Sequence, residues 1–186
     1  MSSRGLRSVL RFSFGVVLCS LSLVWCVFVF LQQGHSETGH LRALAVPAEG
    51  ARFSFGEKKL DEFLHGFSGS EEDGPDHWRW SDGLKSSIVV SLPPGKAFRI
   101  VLKVTPAISQ DREQKLELRV DGNILDAASL GVRPIQREVE FAIPAGGSEI
   151  RELEFRYAYT VNLKRLGLSN DERELAVQFR DLAFIP

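Results

Sequence analysis

Between residues 66 and 83 the chain reads GFSGSEEDGPDHWRWSDG, its densest stretch of groups able to hold a ligand. Two of the three tryptophans fall here, and Trp78 and Trp80 share a face if the segment is extended. Aromatic planes that stack on sugar rings, with Arg79 and Asp82 as fixed polar contacts, are a way to bind carbohydrate. The competing role for such a pair is structural, with one ring plugging a core and the other lining a sheet edge. Glu71, Glu72, Asp73 and Asp76 supply oxygens of the kind calcium takes, but they do not match an EF-hand loop. A solvated acidic loop accounts for them, and no metal site is expected.

Asp171 and Arg173, far along the chain, are spaced to pair with each other. The pair either clamps a crossing connection onto a sheet or adds to the glycan site. Covalent catalysis has less support. His35, His40, His65 and His77 are scattered, and no G-x-S-x-G elbow, H-E-x-x-H, P-loop or dinucleotide fingerprint is present. Two glycosidase acids need no local signature, yet most Glu and Asp here alternate with apolar residues, as solvated strand faces do. The expectation is a non-catalytic protein without a cofactor.

The elements that would position these residues follow from periodicity. Residues 12–31, FSFGVVLCSLSLVWCVFVFL, form twenty consecutive positions without charge or proline, and thirteen are Phe, Val or Leu. At about 1.5 Å per residue a helix of this length spans roughly 30 Å, the thickness of a bilayer core. Arg4, Arg7 and Arg11 precede it and the next charge is Glu37, so residues 1–11 are expected in the cytoplasm and the rest outside. The run is too long for a signal-peptide core and lacks a small-x-small site at its end, which favours an uncleaved anchor. Residues 32–50 are polar, small and aperiodic, and read as a tether.

Cys19 and Cys26 both lie inside the apolar run, which leaves the exported part no disulfide. The net charge is −1, or −4 with the three N-terminal arginines set aside, and no basic patch argues for nucleic acid.

From residue 51 to 186 the period is two. Phe98, Ile100, Leu102 and Val104 alternate with Arg99 and Lys103; Leu116, Leu118 and Val120 with Lys115, Glu117 and Arg119; Leu153, Phe155 and Tyr157 with Glu152, Glu154 and Arg156. Asp121-Gly122 is a hairpin signal, because a type I′ turn needs positive φ at both central residues. Leu175, Val177 and Phe179 fall on one face but Leu182 and Phe184 on the other, which predicts a bulge near Arg180-Asp181. Residues 111–117 and 170–175 have the composition of helical turns. The sum predicts an all-β domain, a jelly-roll-type antiparallel β-sandwich, preceded by one N-terminal transmembrane helix.

The order G-F-S-x-x-E, W-R-W-S-D-G, D-G-N, F-x-I-P-A and L-G-L-S-x-D-x-R-x-L-A-V-x-F resembles a known family. It is similar to the extracytoplasmic β-sandwich domain found with bacterial membrane glycosyltransferases and phosphoglycerol transferases of envelope-glycan assembly. The matching residues include Gly66, Phe67, Ser68, Glu71, Trp80, Ser81, Gly122, Pro144, Leu166, Gly167, Asp171, Arg173, Leu175 and Leu182. The resemblance implies a place in the bacterial inner membrane, a periplasmic domain and a polytopic transferase as partner. It carries no catalytic residues over, because this chain has one span and no polytopic part. The expectation is a membrane-anchored periplasmic protein of envelope-polysaccharide assembly that binds glycan at Trp78, Arg79, Trp80, Asp82, Asp171 and Arg173. The alternative is a scaffold subunit that docks a polytopic enzyme through its span and one sheet face.

Overall fold

The computed structural model describes residues 42–108 and 111–186. The expected cytoplasmic segment, the span at 12–31 and the tether as far as 41 lie outside the described residues. Among the described residues no helix is long and apolar enough to cross a membrane.

Twelve strands make up the described part: β1 (Leu44–Ala45), β2 (Ala51–Ser54), β3 (Leu64–His65), β4 (Glu71–Asp73), β5 (Asp76–Asp82), β6 (Lys85–Ser91), β7 (Phe98–Pro106), β8 (Gln114–Val120), β9 (Asn123–Gly131), β10 (Arg137–Ile143), β11 (Ile150–Tyr157) and β12 (Leu175–Ile185). One sheet runs β1-β6-β11-β8-β9 with β3 also on β6; the other runs β10-β7-β12-β5-β4 with β2 on β12. The eight long strands β5 to β12 divide between the sheets in the orders 5-12-7-10 and 6-11-8-9, which is the connectivity of a jelly roll. The all-β expectation holds, and so does the antiparallel one apart from β1, which pairs parallel to β6.

Alternation explains the burial. Phe98, Ile100, Leu102 and Val104 of β7 are buried, as are Leu116, Leu118 and Val120 of β8. Phe155 of one sheet meets Phe179 of the other with ring centroids 5.4 Å apart, and Phe55 and Phe67 close on Phe179 at 5.1 and 5.3 Å. The predicted bulge lies between Phe179 and Asp181 against β7, so Phe179, Leu182 and Phe184 all face the core. At the hairpin tip Asp121 and Gly122 both have positive φ, 51° and 80°.

Two expectations are corrected. Residues 42–50 are not tether: Leu44 and Val46 are buried in the core, and β1 pairs Leu44 with Val90 and Ala45 with Ser91. A strand of two residues shows no alternation in the sequence, so its burial depends on partners 46 positions away. Nor is 111–117 helical, because Gln114 opens β8 and pairs with β9, and 170–175 leads straight into β12.

Antiparallel pairing gathers the connections at two ends. Segments 83–84, 107–113, 132–136 and 158–174 sit at the end where β11 finishes at Tyr157. The other end carries the Asp121-Gly122 turn, 92–97 and 144–149.

Candidate functional site: an aromatic strip on one sheet face

Strand β5 presents Asp76, Trp78, Trp80 and Asp82 on one side and His77, Arg79 and Ser81 on the other, as strict alternation requires. The tryptophans share the outer face of the sheet, half-buried, while Arg79 and Ser81 are buried beneath it. Cross-strand register fills in the neighbours: Gln178 of β12 lies opposite Trp80, and Glu71 of β4 lies opposite Trp78.

Arg180, also on β12, lays its guanidinium over the Trp78 ring, with Cζ 5.6 Å from the centroid. Its Nη1 forms an ion pair with Asp76 Oδ2 at 3.0 Å. Such a stack contributes about 0.5–2 kcal/mol depending on desolvation. Both partners carry a buried N–H that meets no acceptor in the protein, Trp78 Nε1 and Arg180 Nε. Buried donors are nearly always paired, which sets this stack apart from the rest of the face. Alongside runs a polar groove of about 270 Å³ lined by Ser54, Asp76, His77, Lys103, Arg180 and Asp181. Lys103 and Asp181 face each other there at 3.6 Å.

Asp171 and Arg173 join this face from the β11–β12 connection. The Arg173 guanidinium grips the Asp171 carboxylate through Nε at 3.0 Å and Nη2 at 2.6 Å, and reaches Glu71 through Nη1 at 2.5 Å. The pair therefore clamps the connection to β4, next to Trp78. These bonds hold the Asp171 carboxyl below the usual carboxylate range, and Asp171 and Glu71 together push Arg173 up. Asp82 is exposed at the strand end, where its Oδ1 accepts the Glu174 N–H at 3.3 Å.

Arg79 is a correction to the expected site. At 4% exposure it lies on the opposite face, where Nε donates to the Phe55 carbonyl at 2.5 Å and Nη1 to the Ser68 carbonyl at 3.2 Å. Nη2 takes the Asp61 carboxylate. It ties three segments together and has no free edge for a ligand. Trp80 divides its surface, packing beside a small cluster of Ala107, Tyr159, Val161 and Leu175 while its outer edge stays in the strip.

Sequence reasoning missed Arg180, Gln178 and the opposition of Glu71 to Trp78. The bulge was the available signal for Arg180, since a phase change at 179–181 sets which residues of β12 turn outward. The acidic loop disperses: Glu71 goes to Arg173, Glu72 to His77 at 3.5 Å and Asp76 to Arg180. Among the described residues no three metal-ligating side chains converge.

No protein-family model matches the chain, and no curated protein matches its sequence. Solved structures with a similar arrangement of strands include the CBM36-1 domain of a multidomain xylanase from the hindgut metagenome of Trinervitermes trinervoides. It is 11% identical with a TM-score of 0.47, over 74% of this chain and 97% of that one. The C-terminal CBM6 of the laminarinase LamC from Zobellia galactanivorans is 8% identical at a TM-score of 0.46, over 73% and 100%. The insecticidal crystal protein Cry2Aa is 11% identical at 0.48, over 77% of this chain and 23% of its own. Likenesses of this depth do not bear on ligand or chemistry.

Proposed function

We propose that this is a membrane-anchored, non-catalytic accessory protein whose β-sandwich binds glycan on the Trp78 face. The observation that carries the reading is the Trp78–Arg180 stack on the outer sheet face, next to Trp80, Gln178 and a polar groove. A sugar suits such a place, with an apolar C–H face for the exposed part of the indole rings and hydroxyl groups for the polar side chains of the groove. The membrane anchor rests on the uncharged run at 12–31, and the setting in envelope-polysaccharide assembly beside a polytopic transferase rests on the motif resemblance.

The non-catalytic part has its own support. Glu71, Asp76 and Asp181 beside the strip are each engaged by a cation. The exposed large apolar side chains among the described residues sit in loops and at strand ends, which disfavours docking of a partner through a sheet face.

The deciding experiment is a glycan-array screen of the full chain in detergent micelles, with Trp78→Ala alongside. Binding to an envelope-type oligosaccharide, weakened about tenfold by Trp78→Ala, is the expected result. A folded protein that retains no glycan on the array ends the reading.

A further inference from the structure

Nine large apolar side chains among the described residues are more than a third exposed. Six of them, Leu84, Ile108, Val132, Ile135, Leu166 and Leu168, lie in the four connections at the Tyr157 end of the sandwich. The remaining three, Ile124, Ile150 and Ile185, sit at strand termini of the opposite end. Leu166 and Leu168 are 57% and 60% exposed on either side of Gly167, whose φ of 70° makes the tight turn that pushes both outward. With Ile108 they rim a groove of about 570 Å³ floored by Tyr159 and Val161. Apolar groups gathered on one end, over several loops distant in sequence, indicate a surface that the protein covers in use.

The direction of the chain says what covers it. β1 runs parallel to β6, and β6 starts at this same end, so the chain reaches Leu44 from the side of the exposed leucines. Ten residues, 32–41, separate the expected span from Arg42, and at about 3.3–3.6 Å each they reach at most about 35 Å. That is roughly one length of the eleven-residue β12 at about 3.3 Å per residue, so the far end cannot be the end held at the membrane surface without the whole reach being spent.

We infer that the Tyr157 end is a lipid-docking surface, on which the Leu166-Gly167-Leu168 turn and its neighbouring loops enter the interfacial layer of the bilayer. The inference rests on the anchored part of the reading above and not on its glycan part. The charges beside the turn are already paired, Lys164 with Glu172 and Arg165 with Glu174 at 3.0 Å, so the contact needs no anionic headgroup. Its drive is apolar insertion, and a zwitterionic surface suffices. Docked this way, the Trp78 face stands upright beside the membrane, open to a chain that lies along or leaves the bilayer.

The test uses the full chain with Cys19→Ser and Cys26→Ser, reconstituted in phosphatidylcholine vesicles, with a nitroxide at Leu168→Cys or at Ile124→Cys. Flotation with the vesicles reads the anchor, and relaxation by oxygen against a water-soluble nickel chelate reads depth. At 168 oxygen should win by about threefold or more, and at 124 the chelate should win, because oxygen concentrates in lipid. Adding Leu166→Asp should return the 168 label to water. A chain that floats while label 168 stays aqueous overturns the docking and leaves the anchor standing. A label at 168 shielded from both reagents overturns it in favour of a protein partner. A chain that does not float removes the anchor and the docking together.

Discussion

The backbone carbonyl of Phe55 accepts the Nε–H of Arg79 at 2.5 Å, across 24 residues of chain. The same guanidinium also holds the Ser68 carbonyl and Asp61, so the segments that cover one end of β5 hang on one side chain. Removing it leaves two carbonyls without donors and opens a hole where a long side chain lay. Arg79→Ala should therefore cost about 2–4 kcal/mol in urea unfolding. Arg79→Lys should recover little, since a single ammonium cannot serve three acceptors set around a planar fork. Asp61→Asn, at a residue with 60% of its side chain exposed, should cost less than about 1 kcal/mol.

The two tryptophans should separate by phenotype. Trp78 stacks beneath Arg180 on the open face, so Trp78→Ala should shift the melting temperature by only a few degrees while weakening glycan binding about tenfold. Trp80 lies beside Ala107, Tyr159, Val161 and Leu175, and Trp80→Ala should cost about 2–3 kcal/mol of stability, less than a fully buried ring would. Calorimetry and a binding isotherm on each variant check both halves. Equal destabilisation by the two substitutions, with no binding lost beyond it, would make the strip packing alone.

Much of this architecture was legible because burial on one face writes a period of two into the sequence. β7, β8 and β11 could be read that way, and the broken phase of β12 gave its bulge. The orientation of β5 could not. Trp78 and Trp80 are the apolar members of its alternation, and pattern alone would turn them inward and Arg79 outward. The reverse occurs because the inner side of β5 at Arg79 faces backbone carbonyls of Phe55 and Ser68, not the facing sheet. A guanidinium fits that environment and an indole does not. Short strands such as β1 and β3 were invisible for a different cause, since two residues carry no period and their pairing with β6 is decided by chain far away. In the site, Asp171 and Arg173 were legible as a pair, but their reach to Glu71 depends on β4 lying beside β5.

Gln114 is wholly buried and uses its amide four ways. Nε2 donates to the carbonyls of Tyr159 and Ala176 at 2.9 and 3.3 Å, while Oε1 accepts the N–H of Lys115 and Ala158 at 3.1 and 2.9 Å. It fastens the root of the β11–β12 connection to both sheets. Gln114→Leu keeps the volume but takes the amide from the Tyr159 carbonyl and the Ala158 N–H, while the Ala176 carbonyl keeps the Ala107 N–H, and should cost about 2–3 kcal/mol. Amide exchange at Ala158 should accelerate even where the rest of β11 stays protected.

The Asp171–Arg173 clamp sets a pH dependence whose sign is fixed. Asp171 has a folded value lowered mainly by the Arg173 hydrogen bonds, so its contribution is complete above the ordinary aspartate range, near 3.9, and fades as pH falls through the folded value. The melting-temperature gap between the wild type and Asp171→Asn should hold constant from pH 7 to about 5 and close below about 4. A gap that widened on acidification would contradict the clamp.

The outer edge of β6 is shared by two strands of two residues each, β1 holding Val90 and Ser91 and β3 holding Ile88 and Ser87. An N-terminal pull on the domain would thus load a patch of two paired residues, backed by the buried side chains of Leu44 and Val46, the Val46 N–H on the Ser91 carbonyl and the exposed Arg42–Glu62 ion pair. Under tension β1 is the first element to peel, and the eight-stranded jelly roll behind it does not depend on that strand for its own connectivity. The first pairing after the expected anchor therefore behaves as a mechanical fuse, yielding at low force and lengthening the leash before the sandwich itself bears any strain.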